Sequence, residues 1–295
     1  MQPVTYRGRF APSPNGPLHF GSLVAATASY LDARAHQGEW WIRIDDIDPP
    51  RVVPGATDAI LRTLEGFGFQ WHGVVFQSQR HALYQAAFEQ LDVYPCYCSR
   101  REVFTRDPSG SYHGFCRMHS PLRRHKPPAW RLRLPYAADQ FHDLIQGLQQ
   151  CNCHHAPGEF VLKRADGVWG YHLACAVDEI EMGITHVIRG ADLLYASFAQ
   201  RQVIHGLKRP PPAYGHHPLV LNREGIKLSK RARAQPIDPK QASRQLWHAL
   251  DVLGQQPPAE LKSAPMQTLW QWAIQHYHRA AIPPVQARTY DFGTA

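Results

Sequence analysis

The chain has 295 residues, of which 44% are hydrophobic and 11% aromatic, so it can bury a substantial core in one large domain or two. Lys plus Arg number 32 against 24 Asp plus Glu, and the formal charge of +8 favours a phosphate-rich partner, although charge can also serve solubility alone. The sequence contains neither a secretory signal nor an apolar run of membrane-spanning length, so we expect a cytoplasmic protein with reduced thiols and no membrane contact.

The N-terminal third predicts a parallel α/β unit. Residues 5–11 alternate bulky and polar side chains and lead into a loop rich in proline, which indicates a strand followed by a tight turn. Apolar residues recur at helical spacing from 18 to 35, Gly38 marks the end, and residues 39–44 are strand-like. This order predicts a right-handed crossover and a parallel sheet. Further helices are predicted at residues 56–66 and 80–92.

The composition changes abruptly between residues 95 and 128, which are rich in Cys, His, Arg and Pro. This stretch has too little apolar surface for a core of its own, so we expect it to be stabilised by a cross-link of some kind. Strand patterns return at residues 129–134 and 159–163, and an α/β pattern resumes from 171 to 189. The remaining helices are predicted at residues 196–207, 239–253 and 266–278.

The segment Pro17-Leu18-His19-Phe20-Gly21-Ser22 lies where the first loop meets the first helix. A helix N-terminus presents unpaired N–H groups and a positive dipole end to phosphate. His19 could donate to a phosphate oxygen, and Gly21 would let a nucleotide approach the backbone closely. Taken alone, the segment better fits a histidine in a proline-rich turn.

A second basic segment is Lys227-Leu228-Ser229-Lys230-Arg231. Three cations within five residues can fold over a triphosphate and stabilise the charge that develops on leaving pyrophosphate. Taken alone, this segment better fits a solvated basic loop.

Three cysteines indicate a structural zinc site in the insertion: Cys96, Cys98 and Cys116. Three thiolates and one further donor make a closed tetrahedral site. Chemistry alone favours His113 or His119 as the fourth donor, and three free thiols are the alternative. A second group at residues 151–155, Cys-Asn-Cys-His-His, is crowded within one loop and is interpreted as incidental.

In this order, the two basic segments resemble the signatures of the class I aminoacyl-tRNA synthetases, with residues 19–22 in place of their HIGH motif and 227–231 in place of their KMSKS loop. Three further segments resemble the glutamyl branch of that family: residues 9–16 (RFAPSPNG), 43–51 (RIDDIDPPR) and 186–193 (HVIRGADL).

The resemblance covers about residues 4–232 in collinear order, and it implies a Rossmann-like parallel-sheet catalytic domain with a zinc-bearing insertion and a short C-terminal helical segment. The implied division is a first half of the catalytic domain at 1–95, an inserted zinc and acceptor-binding subdomain at 96–159, a second catalytic half at 160–232, and a helical segment at 233–295 without an anticodon-binding domain.

The resemblance also implies activation of L-glutamate by ATP with Mg²⁺, to give glutamyl-adenylate. The catalytic residues it implies are His19 and Lys230. Glutamate is expected to contact Arg9, Ala11, Ser13, Asp45, Tyr171 and Arg189. ATP is expected to contact His19, Gly21, Ser22, Lys227, Ser229 and Lys230. One structural Zn²⁺ per chain is expected at Cys96, Cys98, Tyr112 and Cys116, because a Tyr supplies the fourth ligand in this family.

Four positions depart from the family pattern. Asp45 stands where the branch has Glu, so its contact to the substrate ammonium is expected to be longer or bridged by water. Ser22 replaces the final His of HIGH, while Leu228 and Arg231 replace the Met and Ser of KMSKS. Each of these changes retains the charges that the reaction needs.

The expected lack of an anticodon-binding domain narrows the resemblance to truncated members of the branch, which esterify glutamate onto the queuosine base in the anticodon of tRNA(Asp). The chain is expected to act as a monomer on this tRNA. Basic residues of the insertion would meet its phosphates or form a solvated face: Arg100, Arg101, Arg117, Arg123, Arg124 and Lys126. The alternatives are a minimal synthetase that charges a tRNA 3′ end, an adenylyltransferase acting on a small molecule, and a non-catalytic RNA-binding paralogue.

Overall fold

The structure, a computed structural model, describes residues 5–119, 126–226 and 236–291. The strands, in chain order, are β1 (Arg7–Phe10), β2 (Glu39–Ile44), β3 (Val74–Phe76), β4 (Val93–Cys96), β5 (Ala129–Leu132), β6 (Ala138–Asp143), β7 (Gly147–Asn152), β8 (Val161–Lys163), β9 (His186–Gly190), β10 (Ala213–His217), β11 (Leu219–Leu221) and β12 (Ala287–Thr289). The helices are α1 (Phe20–Ala35), α2 (Ala56–Gly66), α3 (His81–Gln90), α4 (Arg100–Arg106), α5 (Phe115–Met118), α6 (Tyr171–Glu181), α7 (Leu194–Gly206), α8 (Ala242–Val252) and α9 (Met266–His276).

Parallel strands form the centre of the molecule, as the sequence predicts. Strands β1, β2 and β3 pair in parallel, and so do β9 and β10. The Thr185 N–H donates to the Arg7 carbonyl over 3.0 Å, which places β9 beside β1. Helix α1 makes the predicted crossover, and the side chains of Leu23 and Trp40 are fully buried between helix and sheet. The predicted α/β fold class is therefore confirmed.

The C-terminal helices α8 and α9 pack against α1 and complete the main core. Asp32 of α1 is fully buried and accepts hydrogen bonds from the hydroxyls of Tyr6, at 2.5 Å, and Tyr277, at 3.1 Å. Arg279 also lies 3.3 Å from the same carboxylate. One buried charge therefore ties the last part of the chain to the beginning of the fold.

The insertion is built around an antiparallel sheet of β4, β5 and β8. Its small core consists of Tyr94, Cys96, Val103, Tyr112 and Cys116. The predicted division at residues 95 and 159 stays a prediction, and the antiparallel sheet takes strands from both sides of the insertion. A small core of this kind is consistent with the expected need for a cross-link.

Strands β6 and β7 form an antiparallel hairpin over residues 138–152, which was not predicted from the sequence. Its residues are polar and mostly exposed or half-buried, so the apolar alternation that marks a half-buried strand is weak. No helix in the described ranges combines the length and apolar character that crossing a membrane requires.

Candidate active site

A cavity of about 570 Å³ opens at the carboxyl ends of β1, β2, β9 and β10, beside the N-terminus of α1. This is the edge at which open parallel sheets bind ligands. It is lined by every residue predicted to contact glutamate, together with those predicted for ATP that the structure describes: Arg9, Ala11, Ser13, His19, Gly21, Ser22, Asp45, Tyr171 and Arg189. The remaining predicted residues, Lys227, Ser229 and Lys230, lie outside the described residues.

A buried network of alternating charges lies at the base of this cavity and behind it. Arg9 Nε donates to both carboxylate oxygens of Glu179, at 2.9 and 3.2 Å. Arg43 donates to Glu179 over 3.2 Å through Nη1 and to Asp45 over 2.7 Å through Nε. All four side chains are at most 8% exposed. Paired in this way, the charges hold one another in place, which an isolated buried charge could not do.

The pKa values of the two carboxylates in this charge network shift in opposite directions. Arg9 and Arg43 hold the pKa of Glu179 below its ordinary value even though burial acts in the opposite direction. Burial raises the pKa of Asp45, with Arg43 opposing the shift. Glu179 was missed by the sequence reading, because nothing in the local pattern of α6 distinguishes it from a structural acid.

Arg189 and Tyr171 form other parts of the wall. Arg189, at the end of β9, is 5% exposed and donates through Nε to His216 and through Nη2 to Ser197. Tyr171 begins α6 and is 40% exposed, so its ring borders solvent. The cavity therefore combines three buried guanidiniums, one buried and one exposed carboxylate, and an accessible phenol, a set that fits a small zwitterion.

His19 caps the helix at the mouth of the cavity. Its Nδ1 accepts a hydrogen bond from the backbone N–H of Ser22 over 3.2 Å, and its backbone is extended, as an N-cap requires. In the neutral ring the proton therefore lies on Nε2. Helix α1 thus begins at Phe20 rather than at residue 18, and its capping residue is also the predicted phosphate donor.

A second cleft of about 820 Å³ adjoins the first. Four residues line both: Ser13, Asn15, Asp45 and Tyr171. Its outer wall includes Arg51, Arg100 and Arg164, and it lies between the parallel sheet and the insertion. A ligand in this cleft would therefore reach the contents of the first cavity across a shared wall.

The three predicted zinc-ligand cysteines come together in the insertion. The sulfur atoms of Cys96, Cys98 and Cys116 all lie within 4.8 Å of one another. The hydroxyl of Tyr112 is 3.8 Å from the Cys98 sulfur and accepts a 2.7 Å hydrogen bond from the Cys116 N–H. The cluster could hold a metal ion, and Tyr112 supplies an oxygen beside the thiols.

The two histidines that chemistry alone favoured are engaged elsewhere. His113 Nε2 lies 2.7 Å from an Asp107 carboxylate oxygen and is exposed. His119 stacks on Phe115 and contacts the carbonyl of that residue through Nδ1 over 3.1 Å. Of the candidate fourth donors, Tyr112 is thus the one that faces the cysteines.

The second cysteine group does not extend into a metal site among the residues described here. The sulfur atoms of Cys151 and Cys153 are 3.0 Å apart, and Gln202 donates to Cys153. Within the described ranges, one group of three or more potential metal ligands comes together in the fold: Cys96, Cys98 and Cys116.

The predicted RNA-binding arginines differ in their surroundings. Arg100 lines the second cleft, Arg101 is exposed, and Arg117 pairs with Glu159 over 3.0 Å. Lys126 is exposed, while residues 123 and 124 lie outside the described part of the chain. Arg117 is therefore partly committed to holding the insertion together.

Known proteins of one family are similar to this chain in sequence and in fold. A family model described as "tRNA synthetases class I (E and Q), catalytic domain" matches residues 5–248. Proteins named "Glutamyl-Q tRNA(Asp) synthetase" are similar to the chain: that of Aromatoleum aromaticum is 47% identical over 94% of this chain and 90% of the relative. That of Chromobacterium violaceum is 46% identical over 96% and 97%. The solved glutamate-tRNA synthetase of Elizabethkingia anophelis superposes with a TM-score of 0.79 at 25% identity, covering 97% of this chain and 68% of that one.

Proposed function

The chain belongs to the class I tRNA synthetase family of the glutamate and glutamine type, and from that premise we propose that it activates L-glutamate with ATP and transfers the glutamyl group to queuosine in the anticodon of tRNA(Asp). The chain is thus a ligase-type enzyme. The observation that carries the proposal is one cavity lined by Arg9, Asp45 and Arg189 together with His19. The names of the relatives support the choice of acceptor.

The charges of the cavity match the charge of glutamate. Three guanidiniums line the cavity, of Arg9, Arg43 and Arg189, together with two carboxylates, of Asp45 and Asp192, which leaves one net positive charge among the lining side chains. Glutamate carries two carboxylates and one ammonium, so its net charge is negative and complementary. In the proposal, the arginines bind carboxylate oxygens and Asp45 accepts from the ammonium, directly or through water.

The first step is the attack of the glutamate α-carboxylate oxygen on the α-phosphorus of ATP. The bond to the bridging oxygen breaks, and pyrophosphate leaves with Mg²⁺. His19 donates from Nε2 to a phosphate oxygen, while Gly21 and Ser22 border the phosphates at the N-terminus of α1. Lys230, the second predicted catalytic residue, would stabilise the leaving group. The step relies on position and electrostatics, without a covalent enzyme intermediate.

The second step needs an acceptor hydroxyl beside the mixed anhydride. We place the acceptor base in the second cleft, whose wall is shared with the first through Ser13, Asn15, Asp45 and Tyr171. The hydroxyl attacks the activated carbonyl, AMP leaves, and the hydroxyl proton passes to the departing phosphate or to solvent. Arg51, Arg100 and Arg164 border this cleft and suit a phosphodiester backbone. Asp48 pairs with Arg51 and Arg164, so a phosphate there would share these two arginines with a carboxylate.

We assign Zn²⁺, one per chain, to Cys96, Cys98, Cys116 and Tyr112. Thiolates favour Zn²⁺ among abundant divalent ions, and a closed four-donor set is of structural rather than catalytic type. The ion would cross-link the insertion and stabilise it, because the insertion has only a small hydrophobic core. Because the substrates are ATP and tRNA, we place the reaction in the cytoplasm.

Two assays test the proposal. Glutamate-dependent exchange of labelled pyrophosphate into ATP, measured without tRNA, should be positive, and its absence would favour the non-catalytic RNA-binding alternative. Labelled glutamate is then offered to tRNA(Asp) that lacks the 3′-terminal CCA and carries queuosine, with matched tRNA carrying guanosine at the same position. Label should appear only on the queuosine form. Transfer that instead requires an intact 3′ end would identify a minimal synthetase and refute the proposed acceptor.

A further inference from the structure

His216 is a buried histidine that the activation chemistry above does not use. It lies on β10 directly opposite Arg189 on β9, and its side chain is completely inaccessible to solvent. Its Nε2 accepts a hydrogen bond of 3.1 Å from Arg189 Nε, and the Ser197 hydroxyl also lies 3.1 Å from this nitrogen. The imidazole therefore contacts the guanidinium that lines the cavity from the side away from solvent.

Asp143 holds the other nitrogen of this ring. Its Oδ2 lies 2.5 Å from His216 Nδ1, and its Oδ1 accepts from the backbone N–H groups of Ile145, Gln146 and His216 at 2.8 to 3.1 Å. Three amides thus fix the carboxylate at the turn of the β6–β7 hairpin. A carboxylate at Nδ1 keeps the ring proton on that nitrogen, which leaves Nε2 as an acceptor for Arg189.

The titration of both groups agrees with a neutral ring. Burial lowers the pKa of His216, and the nearby positive charge of Arg189 adds to this effect, although Asp143 opposes it. Hydrogen bonding from His216 lowers the pKa of Asp143 against the effect of burial. A neutral imidazole can accept from a guanidinium, whereas an imidazolium cannot.

Arg189 is held along one side. Its Nε binds His216, and its Nη2 binds the Ser197 hydroxyl at 2.7 Å and the Leu193 carbonyl at 3.3 Å. Nη1 makes no hydrogen bond to another residue that the structure describes. The part of the guanidinium that remains for a ligand is thus oriented by the groups that bind the rest.

We propose that His216, fixed by Asp143, is a positioning residue that orients the Arg189 guanidinium for the side-chain carboxylate of glutamate. It thereby favours glutamate over its amide, glutamine. The inference rests on the proposed activation of glutamate. Glutamine lacks the second carboxylate, so it gains less from an arginine in a fixed orientation. The effect is therefore expected on amino-acid binding and not on ATP.

Three variants separate hydrogen bonding from packing, each assayed by glutamate-dependent pyrophosphate exchange. His216→Leu removes the acceptor and should raise the glutamate KM about 10- to 100-fold, with the ATP KM nearly unchanged. His216→Gln offers an amide oxygen to Arg189 and an amide N–H to Asp143, so it should recover most of the lost affinity. Asp143→Asn keeps the shape but presents an N–H to Nδ1, which moves the ring proton to Nε2 and should again raise the glutamate KM.

A double-mutant cycle tests whether the effect passes through Arg189. In an Arg189→Lys background, which has no Nε–H, His216→Leu should add little to the glutamate KM. The preference for glutamate over glutamine should fall in both single variants and fall no further in the double variant. Additive effects would show that His216 acts by some other route and would overturn the proposal.

His205→Gln serves as the matched control, since this half-buried histidine lies on the same helix as Ser197 and lines neither cavity. Far-UV circular dichroism and melting curves identify variants that fail to fold, and His216→Gln remains informative if His216→Leu is one of them. If wild-type protein lacks exchange, the proposed function is wrong. If it is active while His216→Gln and Asp143→Asn, both folded, keep the wild-type glutamate KM and preference, this inference is wrong.

Discussion

Glu179 holds Arg9 by a two-oxygen contact, with Arg9 Nε at 2.9 Å from one carboxylate oxygen and 3.2 Å from the other. The pair joins the end of β1 to α6, across 170 residues of sequence. Within the described residues, Arg9 makes its hydrogen bonds through Nε, which leaves its terminal nitrogens for a ligand. The carboxylate that orients the arginine thus lies behind it, away from the cavity.

Arg9→Lys should raise the glutamate KM by about 100-fold, because the single nitrogen of an ammonium lacks the planar fork that binds Glu179 through Nε and presents two parallel donors to a carboxylate. Pyrophosphate exchange at varied glutamate measures this change. Arg62→Lys, on the exposed face of α2, is the matched control and should leave the glutamate KM unchanged. An equal effect of the two substitutions would contradict the assignment of Arg9 to the substrate.

Asp45→Asn should raise the glutamate KM at least about 10-fold, since it removes the charge assigned to the substrate ammonium and replaces the charged partner of Arg43 at 2.7 Å by a neutral amide. Asp45→Glu retains the charge and should stay within about fivefold of wild type. Both are measured by the same exchange assay. Equal KM values for Asp45→Asn and wild type would rule out a role for Asp45 in binding the ammonium.

The metal assignment predicts about one Zn²⁺ per purified chain by elemental analysis. Cys98→Ser should lose the metal and lower the melting temperature by several degrees, because the lobe around Tyr112 has few buried apolar groups of its own. Cys151→Ser, outside the cluster, should keep the metal. Loss of zinc from the second variant and not from the first would reverse the assignment.

Asp32→Asn should lower the free energy of unfolding by about 2 to 4 kcal/mol, because the carboxylate that accepts from Tyr6 and Tyr277 and faces Arg279 loses its charge. Urea denaturation measures the change. Asp58→Asn, exposed in the first turn of α2, should cost less than about 1 kcal/mol. A cost for Asp32→Asn as small as that of the control would mean that the buried contact contributes little.

Stability should fall as the pH drops from about 6.5 towards 4, because burial and the charges of Lys262 and Arg244 lower the pKa of His248 to about 4. A histidine that stays neutral in the folded protein binds a proton in the unfolded protein. Its contribution to the free energy of unfolding is therefore complete above its unfolded pKa and is lost as the pH falls below that value. His248→Gln should flatten the decline in unfolding free energy measured between pH 7.5 and 5. An unchanged slope would exclude His248 as a source of the pH dependence.

The residues that sequence analysis found are those that stand in short local segments. Arg9, His19, Asp45 and Arg189 each fall within a run of residues that resembles one family, and the parallel sheet then brings the runs to one edge. The topology required only the order of strand and helix patterns, which hydrophobic spacing supplies.

The supporting residues could not be found in that way. Glu179 meets Arg9 across 170 residues, and Asp143 meets His216 across 73. Each sits in a segment whose local pattern is ordinary, and Asp143 lies in the hairpin that was missed altogether. Contacts of this range are set by packing, so the partners of a charged side chain emerge only from the fold.

The capping contact of His19 has a consequence for the rotational freedom of its ring. A half-turn of the imidazole would break the contact between Nδ1 and the Ser22 amide, which also donates to the His19 carbonyl over 2.8 Å, so the start of the helix favours one orientation of the ring. The entropy of ordering that side chain is then lost when the protein folds, before a nucleotide arrives. A phosphate that enters the cavity therefore binds a donor, the Nε2–H of His19, that is already oriented.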